Sequence, residues 1–194
     1  MMTGYSRYMI AHFYHALDNP KGRWIYAEHV ALMSEVGFEP DLFDVTWVTP
    51  GEGFEDLTLN KARDWAKANP TGRVLYSHTK GAFHHSGQHL WRRVVEARLI
   101  GEWTLRLPEL NEADVVCLHW LTPANSSSSH GILITKQFAA GTFFWARSEY
   151  LARLPELPVL TMETRHMAEA WIGHGDPPPV VKDLSPGFPS YPCY

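Results

Sequence analysis

The sequence predicts an α/β fold, a mostly parallel sheet with flanking helices. Two observations predict it. Three short, β-rich apolar runs (Tyr8 to Tyr14, Asp44 to Val48 and Arg73 to Ser77) alternate with two stretches of helical spacing. Turn chemistry marks the changes: Asn19-Pro20 after the first run, Pro50-Gly51 after the second, and Pro70 ahead of the third. A β-α-β-α-β order of this kind implies parallel strands covered by their crossover helices.

The elements follow in chain order. "YMIAHFY", from Tyr8 to Tyr14, is a buried strand, and "HALDNPKGR" is the loop after it. "WIYAEHVALMSEVGF" carries apolar residues at Trp24, Ala27, Val30 and Ala31, and Gly37 suits a helix terminus. After the strand Asp44 to Val48 and the loop "PGEGFED", the segment "TLNKARDWAKANP" reads as a short helix that stops before Pro70. Residues 86–107 form a long amphipathic helix with Leu90, Val94, Ala97 and Ile100 on its apolar stripe and Ser86 at its N-cap. Ala113 to Leu121 is another strand, and "TPANSSSSHG" is a serine-rich loop. "GTFFWARSEYLARLP" is a strand running into a helix, and "VLTMETRHMAEAWIG" a strand end leading into a second helix. The chain reads as one domain over residues 1–176 with a Pro-rich, irregular tail over 177–194.

Composition limits the function. The formal charge of -4 argues against binding nucleic acid through bulk charge, because such affinity comes from neutralising phosphates. Cys117 and Cys193 lack metal-like spacing and do not suggest a disulfide framework, so a reducing, cytoplasmic location is expected. Neither a signal peptide nor a run of about 20 apolar residues is visible. Aromatics are frequent enough, at 13%, to serve as stacking platforms as well as core.

In parallel sheets, ligands bind beyond the carboxyl ends of the strands. Two polar segments lie there, "YHALDN" and "SHTKG". The second is dense in chemistry. His78, Thr79, Lys80 and Gly81 end the third strand, and His84, His85 and His89 follow. His85 and His89 are spaced as metal ligands on one helical face, but Ser86 stands where a metalloprotease helix has its glutamate. A metal site, an anion cradle and an unremarkable loop all stay open on these residues alone.

"VLYSHTKGA", "WRRVVEARLIGEW", "GTFFWARSEYLARLP" and "ETRHMAEAWIG" occur in this order. Together they resemble a family of small bacterial and phage glycosyltransferases, over nearly the whole chain. The resemblance implies a GT-A-like, Rossmann-like sandwich and a nucleotide-diphosphate sugar as donor. It implies as acceptor a hydroxyl group, on a glycan or, in a phage member, on a modified nucleic-acid base. Thr142 and Phe144 depart from the family's usual Asn and Trp, and the chain has no Asp-x-Asp, the usual diphosphate-metal motif. A divalent cation, Mn or Mg, therefore stays open as a cofactor.

The resemblance assigns roles to residues. Lys80 would meet the departing diphosphate, helped by donors on His78 and Thr79 and by close approach at Gly81, with Arg92 on the next helix. Tyr14 and His15 would hold the nucleotide base, and Asp18 and Asn19 a base edge or ribose, unless Asn-Pro is plain turn chemistry. Trp145 would line the pocket. Glu163 is the first candidate for the base that takes the acceptor's proton, Glu169 the second unless it pairs with Arg165, and Asp114 the third. A non-catalytic nucleotide- or sugar-binding module and a metal-dependent hydrolase built on the histidines are the alternatives.

Overall fold

The computed structural model describes residues 8–82, 87–121 and 137–185, with the side chains of residues 87 and 88 excepted. His84, His85, the serine-rich segment and Cys193 lie outside them. The alternation predicted for the first half is present. Strand β1 (Ile10–Leu17) leads to α1 (Pro20–Glu35), β2 (Leu42–Val48), α2 (Asp56–Ala68) and β3 (Arg73–His78). Helix α3 (Gly87–Glu96), a π-helical turn (Ala97–Gly101) and α4 (Trp103–Glu109) replace the single long helix. Short elements complete the chain: β4 (Val115–Cys117), β5 (Trp120–Leu121), β6 (Phe138–Ala139), β7 (Phe144–Arg147), α5 (Ser148–Leu151), α6 (Met167–Trp171) and β8 (Val181–Asp183).

The main sheet has the order β2-β1-β3-β7-β4-β8. The β1–β2, β1–β3 and β4–β8 pairs are parallel, and β7 runs antiparallel to both β3 and β4. The fold is thus mixed α/β with a mostly parallel six-stranded sheet. Its inner strands bury both faces, which is why their sequences are nearly continuous apolar runs. Phe13, Val74, Tyr76 and Phe144 pack on one face with Leu59, Leu151 and Trp171. Leu75, Val116 and Trp145 pack on the other with Phe38, Val95 and Leu99.

Several boundaries differ from the sequence reading for identifiable reasons. Asn19 is the N-cap of α1: its side chain accepts from Gly22 N at 2.6 Å, and Pro20 opens the helix where no N–H is needed. β1 therefore runs on to Leu17. The long helix is interrupted where the Leu99 carbonyl accepts from Trp145 Nε1 at 2.8 Å. The strand after Ala113 breaks at His119, which has φ 61°; the Asp183 carboxylate accepts there from the backbone N of His119 and Trp120 at 3.0 and 3.1 Å. No strand forms over residues 159–161, ahead of α6. Instead of staying irregular throughout, the Pro-rich tail adds the edge strand β8.

Candidate functional site

The order of the sheet reverses at β1, which has β2 on one side and β3 on the other. A crevice opens at such a switch point, beyond the carboxyl ends of the two strands. His15 and His78 end β1 and β3 and lie directly opposite in register. The Thr79 backbone N donates to His15 O at 3.0 Å, and Leu17 N donates to Thr79 Oγ1 at 3.0 Å. These bonds fix the start of the loop carrying Lys80. Gly81 then takes φ 90°, a backbone that side-chain-bearing residues rarely adopt, and turns the chain away.

Four ionisable side chains assemble at this edge. His78 Nδ1 lies 3.2 Å from Glu55 Oε1, and Lys80 Nζ lies 3.7 Å from Glu169 Oε1. All four are at least four-fifths buried, with side-chain exposures from 12 to 20%. Glu55 is positioned by α2: it is the residue before the helix, and it makes no capping bond there. Glu169 projects from α6. His15 joins through Nδ1, 2.9 Å from Thr58 Oγ1 on α2.

Hydrogen-bond geometry locates one proton. His78 Nε2 is 2.7 Å from the Gly141 carbonyl, which only accepts, so Nε2 carries the hydrogen. Nδ1 of the neutral ring then carries no hydrogen, so its 3.2 Å approach to Glu55 Oε1 suits the protonated carboxyl. The electrostatics agree. Burial pushes Glu55 up to about 7; nearby Glu169 also raises it, while His15 and Lys80 pull it down. Burial, followed by the Lys80 charge, pushes His78 down to about 3. Burial likewise takes His15 down to about 4. At neutral pH the edge therefore holds two uncharged imidazoles, a carboxyl group near its titration point, and a lysine–glutamate pair.

Of the candidates from sequence, the structure brings together His15, His78, Thr79, Lys80, Gly81 and Glu169. Glu169 pairs with Lys80, not with Arg165, which bonds Met162 Sδ and His166. The other five are placed elsewhere. Glu163 is exposed and accepts from Thr161 Oγ1 at 2.6 Å within its own turn, touching none of the cluster. Asp114 precedes β4 at the other end of the sheet, level with Arg73; its carboxylate accepts from Arg147 and from Val180 N. Tyr14 is fully buried and packs against His29 and Tyr26, closed off from the crevice. Trp145 is a core residue bonded to Leu99. Arg92 has no exposed surface and is held by Glu28 and Glu96 on the far face, where Glu96 also meets His29. The cause is common to the last four: these side chains already have partners or an apolar enclosure inside the fold, whereas Glu163 stays at the surface.

Glu55 was missed because nothing in "PGEGFED" distinguishes a glutamate that turns inward from a solvated loop residue. Trp91 was missed as well; a tryptophan on an amphipathic helix reads as core. Among the described residues, no group of three or more His, Cys, Asp and Glu is placed to hold a metal ion. Also among the described residues, no helix is long and apolar enough to cross a membrane.

A family model described as a domain of unknown function (DUF8361) matches residues 44–177. No curated protein and no solved structure matches the chain.

Proposed function

The chain belongs to the DUF8361 family, and we propose, from the site and the sequence resemblance, that it is a glycosyltransferase of GT-A-like, Rossmann-like build. It moves a sugar from a nucleotide-diphosphate sugar to a hydroxyl-bearing acceptor, a glycan or a modified nucleic-acid base. The observation that carries the reading is the Glu55–His78–Lys80–Glu169 cluster at the carboxyl ends of β1 and β3. A parallel β-α-β-α-β half with its sheet order reversing at that point is where nucleotides bind in open α/β sheets. The sequence resemblance supports the same class of reaction.

The chemistry asks little of the protein beyond charge and one proton. The acceptor oxygen attacks the anomeric carbon as the bond from that carbon to the phosphate oxygen breaks. The nucleoside diphosphate leaves with the bonding pair. Lys80 is the cation of the cluster and lies against the developing charge, in a setting dry enough to strengthen that contact. Glu55, titrating at about 7, takes the acceptor's proton once ionised. Glu169 fixes the Lys80 ammonium. His78 holds Glu55 by one nitrogen and the Gly141 carbonyl by the other.

The test is release of nucleoside diphosphate from a panel of UDP-, GDP- and dTDP-sugars, with and without EDTA, over a set of glycan and nucleic-acid acceptors. Turnover of one donor, lost in Lys80→Ala, is the expected result; the EDTA arm decides whether Mn or Mg takes part. Turnover of no donor, together with no nucleoside diphosphate bound, would overturn the reading. Binding without turnover would make the chain a carrier of the nucleotide sugar.

A further inference from the structure

Gly141 sits at the rim of the cluster with φ 76°, a conformation that disfavours any side chain. The point where a Cβ would stand lies 3.2 Å from Trp91 Nε1 and 3.3 Å from both Cε and Nζ of Lys80. Two nitrogen donors from different elements therefore come close to each other beside Gly141. Trp91 is only 4% exposed, and its indole N–H is buried without a hydrogen-bond partner. Such a donor is costly to bury unless something accepts from it. Trp145 and Trp171, the other large buried tryptophans, both donate to carbonyls, so the lone N–H is particular to Trp91. Trp91 is also held in place, its ring 5.0 Å from that of His119. On the other side of Lys80, Glu169 supplies a buried acceptor without a partner, Oε2 of the carboxylate that meets the ammonium.

We propose that these unpartnered groups beside Gly141 bind a sugar hydroxyl, with Trp91 as a specificity residue. The hydroxyl oxygen accepts from Trp91 Nε1–H and from Lys80, and its own hydrogen goes to Glu169 Oε2. The alternative occupant, a phosphate oxygen, would satisfy the two donors. It would leave Glu169 unpartnered and set a second negative charge beside it. A group that both accepts and donates satisfies Trp91 Nε1 and Glu169 Oε2 together and leaves the charge of the Lys80–Glu169 pair unchanged. The inference rests on the transferase reading and adds where the carbohydrate is recognised: beside Gly141, with the Lys80 ammonium shared between the sugar hydroxyl and the phosphates.

The experiment follows the Trp91 indole N–H in a nitrogen–proton correlation spectrum, assigned by its absence from Trp91→Phe. Wild-type protein is titrated with methyl glycosides of glucose, mannose and N-acetylglucosamine, with UDP-glucose, UDP-N-acetylglucosamine, GDP-mannose and dTDP-glucose, with UDP, GDP and dTDP, and with inorganic pyrophosphate. The expected result is that a glycoside or a nucleotide sugar shifts this resonance while pyrophosphate does not. Trp91→Phe keeps the ring in its core and should weaken the responding nucleotide sugar about 3- to 10-fold, the worth of one neutral hydrogen bond, leaving the nucleoside diphosphate unaffected. A resonance that pyrophosphate moves as far as any sugar does, or that nothing carrying a sugar moves, overturns the proposal. If no nucleoside diphosphate binds at all, the transferase reading fails by itself, and the glycoside titration still decides the subsite. Should Trp91→Phe not fold, the resonance is assigned through its connection to the Trp91 backbone signals, and Glu169→Ala, which removes the acceptor, should abolish the shift caused by the glycoside.

Discussion

The contact between Glu55 and His78 has a direction. Because the Gly141 carbonyl claims the Nε2 hydrogen, any proton between Glu55 and Nδ1 belongs to the carboxyl group. That proton leaves as pH rises through about 7, and Glu55 then becomes a base. Turnover should accordingly rise between about pH 6 and 8. Glu55→Gln should lower kcat by about 100-fold or more and remove this rising limb, as steady-state rates across that range would show. A full rate in Glu55→Gln would assign the proton to another group. At this scale the sequence is half legible. Lys80 and His78 are found from where they stand on a strand end. Glu55 is not, because a loop glutamate shows its role only after α2 has turned it toward His78.

Among the elements, α1 and α3 show what hydrophobic periodicity can and cannot resolve. Both helices are where helical spacing places them, but each is turned from the expected face. Trp24, Val30 and Leu90 are exposed, while α1 buries Ile25, His29 and Met33 and α3 buries Trp91, Arg92, Val95 and Glu96. The reason is a buried polar network, His29 and Arg92 on Glu96, with Arg92 also on Glu28. A pattern that sorts residues into apolar and polar assigns those four outward, although paired charges are stable inside. Asn19 gives a prediction of the same kind. It caps α1, so Asn19→Ala should lower stability by about 1 kcal/mol in a denaturant titration while ligand affinity stays within twofold. A large loss of nucleotide affinity instead would return Asn19 to the ribose. The tail is the other case. Val181–Asp183 is too short for a periodic signal, yet it pairs with β4, and Asp183 satisfies the break at His119. Deleting residues 177–194 should therefore lower the Tm, as calorimetry can measure; an unchanged Tm would make the strand dispensable.

For the whole molecule, three buried histidines set the response to acid. Burial lowers His12, His15 and His78 from their ordinary range, the last two to about 4 and about 3. The unfolded chain takes up protons near pH 6.5 that the folded chain refuses, so their contribution is complete above 6.5 and is lost as pH falls toward 4 and 3. Glu55 acts in the opposite sense: its raised value favours the fold at low pH, and that contribution is lost as pH rises through about 7. The histidines outnumber it, so the Tm should fall steadily from pH 6.5 to 4. His15→Gln should flatten that slope by an amount on the order of 3 kcal/mol at most. Topology was the most legible property of all, because parallel β-α-β units impose their order on any sequence that alternates in this way. The antiparallel β7 was not legible, since an apolar strand carries no mark of its direction.

All of this converges on the edge of the sheet where β1 and β3 end. The most direct test is calorimetric titration of the full-length protein and of Lys80→Ala with UDP, GDP and dTDP. The account predicts that one nucleoside diphosphate binds the wild-type protein and that Lys80→Ala weakens it about tenfold or more, as expected for the loss of a charge-assisted contact. Equal affinity in the two proteins, or no binding to either, would contradict it.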